Sequence, residues 1–234
     1  MKAKDITLQL RDLGDSAIAG HSQRFFKTGK GQYGEGDRFL GIRVPVIRKQ
    51  AKRFRTLPLG ETKRLLRSPY HEVRLCALFI LVERFGKGDD PARRQIYDLY
   101  LDNTRYINNW DLVDGSAPQI VGGYLKSRSR GPLYRLAMSD SLWERRIAIM
   151  ATLTFIRDRD FDDTLAIAER FLSDEEDLIH KAVGWMLREV GNRHRQTEER
   201  FLARHYQTMP RTMLRYAIEK FPVRRRRQYL EGRV

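Results

Sequence analysis

Cysteine is almost missing from this chain: Cys76 is the single one among 234 residues, which excludes an intrachain disulfide framework and a cysteine zinc site. Long apolar runs are missing as well. No stretch approaches the roughly 20 residues of a bilayer span, and Met1-Lys2-Ala3-Lys4-Asp5 leads into an amphipathic segment, with no apolar signal core. These absences predict a protein without membrane contact, in the cytoplasm. Acidic side chains are the next shortage, 30 against 45 Lys plus Arg, for a formal net charge of +15. On charge alone, nucleic acid is the leading partner. Hydrophobic residues at 41% and aromatics at 10% supply a core, so the chain is not a disordered basic tail. With no Pro/Gly/Ser linker to divide it, a single domain over residues 1–234 is expected, working as a monomer.

Strand signals are also scarce, and the apolar period is helical almost throughout. Val73–Val82 and Ile147–Leu153 both have the composition of buried helices, and their length and alanine content favour helix over strand. Gly and Pro at Gly60, Pro69, Gly86 to Gly88, Pro91, Gly131-Pro132, Gly191, Pro210 and Pro222 cut the chain into helix-length segments. The expected class is all-α.

A weak repeat runs through those helices. A basic residue before an alanine-containing apolar run recurs as Arg74-Leu75-Cys76-Ala77, Arg146-Ile147-Ala148, Lys181-Ala182-Val183 and Arg215-Tyr216-Ala217, at separations of 72, 35 and 34 residues. The first gap holds two periods, and its midpoint is Trp110. Such periods belong to α-solenoids of stacked HEAT-, armadillo- or TPR-like helical pairs. Equivalent positions would then line one concave basic face, including Trp110, Arg146 and Trp185, which lies one turn beyond Lys181. The alternative is that a basic residue before an apolar run merely marks an amphipathic helix.

Within Asn108-Asn109-Trp110-Asp111-Leu112-Val113-Asp114, helical spacing places Trp110 and Asp114 on one face. An indole beside a carboxylate is a receptor for a cation. Asp111, nearer the helix start where the dipole favours anions, is the residue expected to serve structure.

Four blocks, in order and spacing, carry a resemblance to the AlkD-like DNA alkylation repair glycosylases of HEAT-like repeats: Arg38-Phe39-Leu40-Gly41-Ile42-Arg43-Val44-Pro45, Asn109–Asp114, Leu142-Trp143-Glu144-Arg145-Arg146-Ile147-Ala148-Ile149, and His180–Glu189. Thr212–Glu219 adds a fifth. The resemblance covers most of the chain. It implies a groove that holds double-stranded DNA containing alkylated purines, with a site of two tryptophans, one aspartate and one arginine. By motif match these are Trp110, Trp185, Asp114 and Arg146. Where some members present an aromatic hydroxyl, the chain reads Arg24-Phe25-Phe26-Lys27, so Phe25 is the nearest match and Tyr33 of the Gly-rich loop is the available substitute.

The chemistry can be argued from the residue types. Cleavage of an N-glycosidic bond develops positive charge on the sugar, and a nearby carboxylate stabilises it. A purine alkylated at N3 or N7 is already cationic and departs neutral, so no second carboxyl is needed as an acid. Asp114 is therefore the expected catalytic group, with Trp110, Trp185 and Phe25 against the lesion and Arg146 on the neighbouring phosphate. Lys27, Arg38, Arg43 and Arg188 are expected DNA-backbone contacts, and Lys30, Arg48, Lys49, Lys52 and Arg53 extend the same choice. Binding should then weaken steeply with salt. No lysine is placed as a Schiff-base nucleophile, and neither metal nor organic cofactor is expected, since the five histidines lack ligand spacing. The glycines Gly29, Gly31, Gly34, Gly36 and Gly41 lack a phosphate-loop lysine and form a loop between helices. Arg224 to Arg227 are either a solvated face or a further DNA contact. The competing functions are a non-catalytic HEAT-repeat protein that binds duplex or branched DNA and a scaffold for acidic proteins.

Overall fold

The computed structural model describes all 234 residues, Met1–Val234. It is all-α, and it divides into two compact units, Met1–Ile120 and Val121–Val234. No helix is long and apolar enough to cross a membrane.

The first unit contains α1 (Ala3–Asp12), α2 (Ser16–Phe25), α3 (Val44–Arg53), α4 (Leu59–Leu66), α5 (His71–Lys87), α6 (Asp90–Leu101) and α7 (Trp110–Asp114). Its centre is α5, buried from His71 through Leu81, which is why its sequence is apolar on all sides. Helices α3 and α4 pack on it. The Gly-rich stretch between α2 and α3 is a loop, as its composition predicts. Gly31, Gly36 and Gly41 hold positive φ there. A Cβ on Gly41 would stand 1.9 Å from the Asp15 carbonyl oxygen, so only glycine lets the loop close on α2. The loop is also tied to α5, because the buried Glu72 carboxylate accepts from the amides of Leu40 (2.9 Å), Gly41 (2.8 Å) and Ile42 (3.3 Å).

A π-helical turn at Pro118–Gly122 leads to the second unit. There follow α8 (Gly123–Leu125), α9 (Gly131–Ala137), α10 (Leu142–Ala151), α11 (Leu153–Arg157), α12 (Asp162–Arg170), α13 (Asp177–Arg193), α14 (Arg195–His205), α15 (Arg211–Ala217) and α16 (Val223–Leu230). Helix α13 is the hub, packed by α10, α14 and α15. A Cβ on Gly184 would meet the Met213 carbonyl oxygen at 2.4 Å, so α15 crosses α13 at a residue without a side chain. Three glycines behave differently from their expected role as breaks: Gly60, Gly86 and Gly191 lie inside helices. For Gly191 the reason is spatial, since a Cβ would fall 1.7 Å from the Glu198 carboxylate and keep α14 off α13.

Two of the three arginines in the repeat, Arg74 and Arg146, have one job in common. Arg74, near the start of α5, donates from Nε to the Tyr106 carbonyl, and Arg146, on α10, donates from Nη1 to the Leu178 carbonyl. Each partner lies 32 residues downstream, so each arginine hooks the chain about one period ahead.

Candidate functional site

Helix α7 is a five-residue turn and too short to hold itself. Its N-terminus is capped by Asn109, whose Oδ1 accepts from the Trp110 amide at 2.9 Å. Trp110 and Asp114, its first and last residues, are both partly exposed, whereas Leu112 and Val113 between them are buried. The i, i+4 relation expected from the sequence is therefore realised. Ser116, just beyond, bonds Tyr100 at 3.0 Å, and burial together with the nearby Asp114 charge raises the Tyr100 phenol above its ordinary range.

The indole of Trp110 sits on an aromatic stack. Phe26 lies parallel to it with ring centroids 5.2 Å apart, and Phe25 meets it edge-on at 6.0 Å. Phe25 is 57% exposed, so part of its ring is open to solvent beside the indole. The structure thus brings Phe25 together with Trp110. The Tyr33 hydroxyl lies 3.4 Å from the Phe25 carbonyl, and Lys27, in left-handed backbone, carries its ammonium over the Tyr33 ring at 6.0 Å. Arg38 and Arg43 are exposed on the same unit, Arg43 as the N-cap residue of α3.

Behind this surface is a buried polar network that sequence reasoning missed. His71 bonds Asp37 through Nδ1 at 2.9 Å and Asp111 through Nε2 at 2.8 Å. Arg74 reaches the other Asp37 oxygen, and its Nη2 also donates to Asn108 Oδ1 at 3.1 Å. Burial opposes charge on His71, but the Asp111 and Asp37 carboxylates outweigh it and raise the imidazole to about 9. Burial would likewise raise Asp37, yet the His71 bond and the Arg74 charge hold it below the usual carboxylate range. Asp111, expected to serve structure near the helix start, is in the first turn and is the acid that anchors α7 to α5. The available signal was spacing: Asp37, His71 and Asp111 are separated by 34 and 40 residues, close to the repeat period.

In the second unit the expected residues stand in different surroundings. Arg146 is only 4% exposed, and its bond to Leu178 places it at the start of α13, inside the fold and away from an open surface. Trp185 on α13 is partly exposed, between Lys181 one turn before it and Arg188 one turn after. Lys181 pairs with Asp177 at 2.7 Å, and Arg188 pairs with Glu219, so the charge of each is partly answered within the chain. His180 bonds the Asp174 carbonyl, a structural contact. No group of three or more His, Cys, Asp or Glu is arranged to hold a metal.

Comparison with known proteins agrees with this architecture. A search of curated protein sequences returns no match. Among solved structures, one described as a predicted DNA alkylation repair enzyme from Enterococcus faecalis superposes with a TM-score of 0.70 over 90% of this chain and 97% of its own, at 17% identity, a likeness of fold. The sequence model for the family described as DNA alkylation repair enzyme matches residues 6–221, which takes in the Gly-rich loop, α7, α10 and α13. With nearly its whole length matched, the chain belongs to the DNA alkylation repair enzyme family.

Proposed function

We propose that this protein is a monofunctional DNA glycosylase that hydrolyses the N-glycosidic bond of cationic N3- or N7-alkylated purines in duplex DNA and leaves an abasic site. We read its helical pairs as HEAT-like repeats that act together over residues 1–234, as a monomer without metal or organic cofactor. The observation that carries the proposal is α7: an indole and a carboxylate one turn apart, both partly exposed, beside the exposed ring of Phe25. Asp114 stabilises the positive charge that develops on the sugar and helps orient the attacking water. Trp110 and Phe25 present aromatic surface to the lesion, and a ring face over a cation contributes about 0.5 to 2 kcal/mol in favour of an alkylated base over a normal one. Lys27, Arg38 and Arg43 meet DNA phosphates, and Arg188 joins them by giving up its pairing with Glu219. Trp185 is assigned as a further lesion contact, and Arg146 meets a phosphate by giving up its bond to the Leu178 carbonyl.

The test is release of 7-methylguanine or 3-methyladenine from methylated duplex DNA by the wild type and by Asp114→Asn. Removal of one preorganised charge-stabilising group costs roughly 100- to 1000-fold in rate, so the variant is expected to be slower by that factor while binding undamaged duplex as before. Equal release by both would refute the role of Asp114. Tight DNA binding by a wild type that releases no base would instead favour a non-catalytic DNA-binding protein, the reading to which the missing hydroxyl at Phe25 points.

A further inference from the structure

The segment entering α7 is held from one direction. Arg74 binds the Tyr106 carbonyl at 3.1 Å and the Asn108 side chain at 3.1 Å, the Asn109 side chain donates from Nδ2 to Asp37 at 3.4 Å, and Asp111 is bound by His71. Both nitrogens of His71 face carboxylate oxygens. An ionised carboxylate can only accept, so both nitrogens must donate, and only an imidazolium has two N–H groups. Two anions, Asp37 and Asp111, then balance two cations, His71 and Arg74, in a site where His71 is 1% exposed. The same imidazole ring stacks on Phe39 at 4.5 Å and lies 5.0 Å from Phe26, the ring that supports Trp110.

We propose that His71, held as an imidazolium between Asp37 and Asp111, is the positioning residue of the site: it fixes the first turn of α7 and, through Phe26, the plane of Trp110. Its consequence for catalysis rests on the glycosylase reading above; its hold on α7 does not. The geometry gives the mechanism. When His71 loses its proton, one of the two carboxylates faces a lone pair and the hydrogen bond left to the other no longer has a charged donor, so the tie from α5 to α7 weakens with either tautomer. The groups that face His71 are Asp37, Asp111 and, through Asp37, Arg74, with Phe26 and Phe39 against its ring. Of these, His71 is the one that changes charge near pH 9.

The experiment compares wild type, His71→Gln and Asp111→Asn, with and without Asp114→Asn, in single-turnover release of 7-methylguanine, and follows amide hydrogen exchange at residues 110–114. Glutamine has one nitrogen and cannot donate to two carboxylates on opposite sides. The expected result is a release rate lower by about 10- to 100-fold, the scale of a small misplacement of a reacting group. Affinity for undamaged duplex should change less than about twofold. The alkaline limb of the wild-type rate near pH 9 should disappear in His71→Gln, exchange at 110–114 should quicken, and neither substitution should slow Asp114→Asn further. Should His71→Gln fail to fold, Asp111→Asn carries the rate, exchange and double-substitution readouts. Unchanged exchange at 110–114, or full slowing on top of Asp114→Asn, overturns the proposal. If the wild type releases no base, the glycosylase reading falls separately, and exchange at 110–114 alone decides whether His71 holds α7.

Discussion

Asp111 and Asp114 lie three residues apart on the same short helix, and their surroundings assign them different work. Asp111 has a side chain 14% exposed and is bonded to a buried imidazole, whereas Asp114 is the last residue of the turn and partly exposed. Asp111→Asn is therefore no neutral control for Asp114→Asn, because it weakens the anchor that places Asp114. A similar distinction separates the glycines of the loop before α3. Gly31 and Gly36 have positive φ but open space around the missing Cβ, while Gly41 combines φ of 83° with a contact of 1.9 Å to Asp15 and one of 2.7 Å to the Ala19 nitrogen. Gly41→Ala must both strain the backbone and push the loop off α2, so a loss of at least about 2 kcal/mol is expected. A urea denaturation midpoint unchanged by Gly41→Ala would contradict that geometry.

At the level of helices, two of the four basic residues that recur before apolar runs act as hooks, whereas Lys181 pairs with Asp177 and Arg215 is exposed. Arg74 and Arg146 are each 4% exposed and each bond a carbonyl 32 residues ahead. The periodicity was legible because equivalent helices need equivalent apolar positions, but the task of the arginines was not, since a basic residue at a helix start reads the same whether its guanidinium faces phosphate or a buried carbonyl. Arg146→Met separates these roles. Methionine keeps the apolar stem, but it leaves the Leu178 carbonyl without this donor, and loss of a buried partner costs about 1 to 3 kcal/mol. A fall of that size in unfolding free energy is expected in DNA-free buffer, along with any loss of DNA affinity. Weaker DNA binding at unchanged stability would show instead that the hook at Leu178 contributes little and that phosphate is the main partner.

Over the whole molecule, the class of fold was readable because apolar spacing and Gly/Pro positions are local signals; the buried stretch of α5 lies where the sequence placed it, while the run Ile147–Leu153, expected as one helix, is divided between α10, which ends at Ala151, and α11, which starts at Leu153. The candidate site was only half readable. Trp110 and Asp114 share one short segment, so helical spacing alone relates them. Asp37, His71 and Arg74 meet Asp111 across three segments, and no local pattern reports such a meeting. Their charges nevertheless leave a signature in stability, together with one other buried group. Burial pushes the Glu198 carboxyl up to about 8 from an ordinary 4.5, with Arg195 opposing and Glu199 adding to the shift, and His71 is raised to about 9 from 6.5. For both groups the folded value exceeds the unfolded one, so the folded state binds the proton more tightly. Each contribution is complete below the unfolded value and is lost as pH rises through the folded value: between 4.5 and about 8 for Glu198, and between 6.5 and about 9 for His71. Asp37 acts oppositely, its lowered value giving stability above its ordinary 3.8 that is lost in acid. The melting temperature is therefore expected to fall steadily from pH 6 to pH 9.5. Glu198→Gln should flatten the lower part of that decline and His71→Gln the upper part, from a lower starting stability. Thermal melts of the three proteins across this range, without DNA, provide the check, and a wild-type melting temperature that holds level to pH 9.5 would mean that neither a protonated Glu198 carboxyl nor a His71 imidazolium is held in the buried position the structure gives it.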